Sequence, residues 1–68
     1  MRPIRRYQFR FEHPLALPIT LESDGETPCM ARGFAWQALE QLVRDTPDLP
    51  HDNYWKMAEQ VLLGLVQN

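Results

Sequence analysis

Residues 27–44, TPCMARGFAWQALEQLVR, place the tightest constraint on the fold, because their pattern suits a single kind of regular element. Thr27 can accept a hydrogen bond from the free amides of a first helical turn, and Pro28 has the fixed φ and missing N–H suited to the first helical position. Ala31, Phe34, Ala35, Ala38, Leu39, Leu42 and Val43 then recur at helical spacing. They form one apolar stripe, with Gln37, Glu40, Gln41 and Arg44 opposite. An amphipathic helix over about 28–44 follows, and the rest of the chain must cover that stripe.

Upstream, IRRYQFRFE (4–12) alternates as a half-buried strand does, with Tyr7, Phe9 and Phe11 on one face and Arg6, Gln8, Arg10 and Glu12 on the other. His13-Pro14 interrupts the alternation, because proline has no N–H to give to a ladder. A second alternation over about 15–22 sets Leu15, Leu17, Ile19 and Leu21 against Ala16, Pro18, Thr20 and Glu22. Pro18 restricts this run to an edge strand or a bulge. Ser23-Asp24-Gly25-Glu26 reads as a turn into the helix.

Downstream, Thr46-Pro47 and Leu49-Pro50 disfavour helix at the residues before each proline. A second helix is expected over about 53–67, capped by Asp52 or Asn53. Tyr54, Ala58, Val61, Leu62 and Leu65 gather on one side of it, flanked by Trp55, Met57 and Val66, with Lys56, Glu59, Gln60 and Gln67 opposite. The expected architecture is therefore a single α+β domain over 1–68 in β-β-α-α order, an antiparallel hairpin packed on two antiparallel helices.

Sixty-eight residues allow one thin core, and a chain this short buries roughly 60% of its unfolded surface. A two-stranded sheet also leaves unpaired edges, so self-association as a homodimer is an economical way to complete the fold. Leu63 falls among the polar residues of the expected second helix, whose apolar arc is wider than the ~100° a surface helix needs. Gly33 and Gly64 each weaken a helix interior by about 1 kcal/mol relative to alanine, which close approach of another backbone would explain.

Charge is segregated. Arg2, Arg5, Arg6 and Arg10 give the first ten residues +4, while Arg32, Arg44 and Lys56 against nine acids give the remainder −6, for a net −2. A basic end on an acidic body can steer toward phosphate or toward an acidic protein surface. Charges at the N-terminus, where a signal peptide needs its apolar run, and the lack of a ~20-residue apolar stretch point to a cytoplasmic protein with no membrane partner. The single cysteine, Cys29, excludes an internal disulfide.

Little in the sequence points to chemistry. Cys29 lies in a first helical turn, where amides favour a thiolate, yet no histidine adjoins it and Glu26 opposes ionisation. His13, Cys29 and His51 are far apart and lack the paired spacing of a zinc site, so no metal or cofactor is expected. The acids at Glu22, Asp24 and Glu26 and at Asp45, Asp48 and Asp52 read as solvated loop charges, and no catalytic motif is present. No catalytic residue is assigned, and an enzyme is not expected.

The function expected is a small non-enzymatic interaction module, acting as adaptor, inhibitor or accessory subunit toward another protein. Trp36, Trp55 and Leu63 are its candidate contact residues, with Arg6 and Arg10 for a charged partner. The alternative is a dimeric DNA-binding protein whose basic first strands pair into a ribbon, using Arg5, Arg6, Gln8 and Arg10. A strand followed by two helices has a superficial resemblance to the ribbon-helix-helix repressors. Those pass almost directly from ribbon to helix, whereas about fifteen residues separate Glu12 from Pro28 here, and the acidic body opposes a polyanion.

Overall fold

The computed structural model describes residues 2–66. Its elements in chain order are β1 (Arg5–His13), β2 (Ala16–Gly25), α1 (Pro28–Asp45) and β3 (Lys56–Leu65). The domain is α+β, as expected, but it holds a three-stranded antiparallel sheet of order β2-β1-β3 and one helix, not two. Because β2 and β3 both run antiparallel to β1, they are parallel to each other with β1 between them. The chain therefore leaves β2, crosses one face of the sheet as α1 and returns as β3, a split β-α-β arrangement.

The helix begins as its sequence requires. Thr27 is the N-cap, its Oγ1 accepting from Met30 N at 3.2 Å, and Pro28 follows. It ends at Asp45, ahead of Pro47, with Arg44 in the last turn, where a cation complements the helix dipole. Its buried face is narrower than the seven-residue stripe expected. Ala31, Ala35, Leu39 and Val43 form a single i, i+4 ridge against the sheet, while Phe34 and Ala38 are exposed and Leu42 is half-buried. Two alanines in that ridge let the helix lie close over the rings of Tyr7, Phe9 and Phe11, all buried as the alternation in β1 indicates. Phe9 and Phe11 lose all exposure, which stabilises the fold by roughly 1.5–3 kcal/mol each.

Gly25 is placed by this close approach. It closes β2 as a buried residue, and a Cβ built on it would lie 2.7 Å from Ala31 N. The expected turn at 23–26 is thus mostly strand, and Gly25 serves for space and not for a positive φ, which Gly64 alone shows among the described residues. In β2, the register shifts between Phe11 and His13, opposite Leu17 and Pro18, and β2 is an edge strand, both outcomes that Pro18 implies. Beyond that shift Leu17, with Leu15 in the hairpin turn, points to solvent instead of joining Ile19 and Leu21 against the core.

The expected second helix is the larger correction. Residues 56–65 form β3 on the free side of β1, and Gln67, assigned to the polar face of that helix, lies outside the described residues. The physical reason lies in the register. Arg6 pairs with Gly64 but Tyr7 with Leu62, and Arg10 pairs with Glu59 but Phe11 with Met57, so Leu63 and Ala58 are extra residues at two bulges. Met57, Gln60, Leu62 and Leu65 consequently share the helix-side face, with the bulges stretching the spacing to three residues at each end. That spacing imitates a helix. Among the described residues no helix is long and apolar enough to cross a membrane.

Candidate interaction surface

The helix lies over β2 and β1, and none of its Cα atoms comes within 8 Å of a β3 Cα. One third of the sheet therefore has no second layer. In antiparallel pairs opposite residues share a face, so Leu62 beside Tyr7 and Leu65 beside Arg5 lie on the same side as the core, but outside the shelter of α1. Leu62 is 54% exposed and Leu65 63% exposed, and Val61 and Leu63 are 39% and 47% exposed. Leu62 and Leu65 are uncovered on the helix side, Val61 lies on the opposite face beside Gln8 and Leu63 sits at a bulge, all in a run from Gln60 to Leu65 that carries no charge.

The opposite face of the sheet is mostly polar. Arg6, Gln8, Arg10 and Glu12 of β1 lie there beside Glu22 and Asp24 of β2 and Lys56, Glu59 and Val61 of β3. Arg6 meets Asp24 through two hydrogen bonds, Nε to Oδ1 at 3.0 Å and Nη2 to Oδ2 at 3.3 Å, which holds the guanidinium proton more tightly than usual. Arg10 pairs with Glu12 at 3.1 Å. Three cations against four carboxylates leave this face at −1. Arg5 has the other parity, opposite Gly25 and Leu65.

The candidate contact residues separate into two places. Trp36 and Trp55 both border an open groove of about 430 Å³ between the C-terminal half of α1 and the segment 51–55. Trp36 is half-buried, its ring edge-on to Phe11 at 4.7 Å. Trp55 is a core residue whose Nε1 donates to the Pro50 carbonyl at 3.0 Å. Leu63 lies instead beside Arg6, Leu65 and Val66. Sequence reasoning missed Val61, Leu62 and Leu65 as surface residues by assigning them to the buried face of a helix. The uncharged run 60–65 was the available signal.

The side chain of His13 is almost fully buried, and Nδ1 accepts from Leu15 N at 3.0 Å, so the ring proton is on Nε2, which donates to Asp52 Oδ1 at 2.7 Å. Both nitrogens are engaged, and neither offers a lone pair to a substrate. Asp52 Oδ1 also accepts from Tyr54 N at 3.0 Å; that bond first, and His13 second, holds the carboxyl below its ordinary range. The pair clamps the segment before β3 to the end of β1. Cys29 is exposed, and among the described residues no three His, Cys, Asp or Glu side chains gather as a metal site would require. No family model, curated protein or solved structure matches the chain.

Proposed function

We propose that the chain is a non-enzymatic interaction module that receives another protein on the helix-side face of β3. The observation that supports this reading is the exposure of Leu62 and Leu65, 54% and 63%, on that face, with half-buried Met57 in line with them and a helix that stops short of them. Grouped aliphatic side chains on a small domain mark contact sites, whereas single ones do not. The step from α1 down to β3 gives the face one wall, and a partner's helix or strand carrying aliphatic side chains fits beside it.

The nucleic-acid alternative loses the geometry on which it relied. β1 is the central strand, paired on both edges, so it is not free to pair with β1 of a second chain. The face carrying Arg6, Gln8 and Arg10 is net negative, and both arginines are ion-paired.

Photocrosslinking tests the proposal. A diazirine side chain in place of Leu65, expressed in the native host, is expected to trap a protein other than this chain, and Leu62→Glu is expected to abolish the product. Absence of a foreign product, or one indifferent to Leu62→Glu, would overturn the reading.

A further inference from the structure

The two edges of the sheet are treated differently. Both edges carry bulges and charges, with Glu22 and Asp24 on β2 and Lys56 and Glu59 on β3, but the β2 edge alone also carries a proline, Pro18, which discourages another strand from adding there. The β3 edge has no proline, and its regular stretch between the two bulges, Glu59–Leu62, leads into the uncharged run. The area of the molecule points the same way. The chain exposes 5035 Å², whereas a compact monomer of 8.0 kDa exposes about 4450 Å² by the scaling of surface with mass. The excess, about 600 Å², approaches the ~800 Å² that each partner contributes to a standard interface.

We propose that the edge of β3 pairs antiparallel with the same edge of a second copy, about a two-fold axis at Val61. This rests on the reading of β3 as the contact element and names the occupant of its edge. A two-fold axis normal to the sheet keeps the same face uppermost in both copies, so residues set opposite each other must share a face. An axis at Val61 meets that condition. Val61 faces its counterpart, Gln60 faces the second copy's Leu62, and with the two bulges offsetting each other Met57 faces the second copy's Leu65. Glu59 falls opposite Gly64, so no like charges are opposed. The product is a six-stranded sheet with both helices on one side. Between them runs a trough lined by Met57, Gln60, Leu62 and Leu65 of each copy, which doubles the face offered to a foreign protein.

Sedimentation equilibrium of the purified chain over the micromolar range provides the test. The expected mass is twice 8.0 kDa. Val61→Lys sets two ammonium groups at the axis and is expected to halve the mass with the far-UV circular dichroism unchanged. Leu62→Lys is the second variant should Val61→Lys lose its fold, and Phe34→Lys, on the exposed side of α1, is expected to leave the pair intact. A single-chain mass for the wild type, an assembly larger than two, or a dimer broken by Phe34→Lys and not by the β3 variants would each overturn the proposal. A monomer that still crosslinks a foreign protein through residue 65 would refute the pairing and leave the module reading standing.

Discussion

Two glycine-to-alanine substitutions carry opposite predicted signs, and their magnitudes follow from the packing of α1. At Gly33 an added Cβ meets nothing within 4 Å, and the residue is exposed inside a helix. Gly33→Ala therefore acts through the unfolded chain and through helix propensity, stabilising by about 0.4–1 kcal/mol. At Gly25 the same methyl group would lie 2.7 Å from Ala31 N and 3.2 Å from Ala31 Cα. An ordinary contact of roughly 3.5 Å requires the first helical turn to retreat by about 0.8 Å. That turn is held by Ala31 N donating to the Thr27 carbonyl at 3.1 Å and by the Thr27 cap. Overpacking of this kind costs about 1–3 kcal/mol, offset in part by the same unfolded-state gain, for a net loss of about 1–2 kcal/mol. With an unfolding entropy of roughly 0.14 kcal/mol/K for a chain of this size, Gly25→Ala is expected to lower Tm by about 7–14 °C and Gly33→Ala to raise it by about 3–7 °C. Thermal unfolding followed by circular dichroism checks both at one protein concentration. Equal signs, or a Gly25→Ala variant as stable as the wild type, would refute the packing argument.

Two further outcomes follow from the clamp before β3. The folded-state pKa of Asp52 is depressed, so the unfolded chain binds the proton more readily; its contribution to stability is present above the ordinary value of 3.8 and is lost as pH falls through the lower folded value. Denaturant midpoints for Asp52→Ala and wild type are expected to converge in that acidic window and to separate above it. Trp55→Phe removes the donor to the Pro50 carbonyl while keeping most of the buried ring, and is expected to destabilise by about 0.5–1.5 kcal/mol in urea titrations.

The first forty-five residues could be read closely from the sequence, because each element there announces itself by a local rule. The cap at Thr27, the proline at Pro28 and the period of two through Tyr7, Phe9 and Phe11 owe nothing to distant parts of the chain. β3 obeys no such rule. Ala58, Glu59, Gln60, Leu62 and Leu63 favour helix, and two bulges convert the strand's period into one that resembles a helix. What decides the matter is tertiary: β1, with its three buried rings, has a second edge to satisfy, and the chain from 56 onward is what satisfies it. The candidate site was lost by the same error. Val61, Leu62 and Leu65 cannot be recognised as exposed while they are taken for the inner face of a helix. His13 shows the same limit, since nothing local indicates that it is buried against Asp52, thirty-nine residues away.

The claim on which the surface depends is that residues 56–65 pair with β1 as a strand, and backbone NMR of the uniformly labelled chain tests it most directly. The structure predicts extended Cα and Cβ shifts across Lys56–Leu65 and cross-strand contacts joining Tyr7 to Leu62 and Phe9 to Gln60. Helical shifts over those residues, with contacts between positions three apart and none to β1, would contradict it.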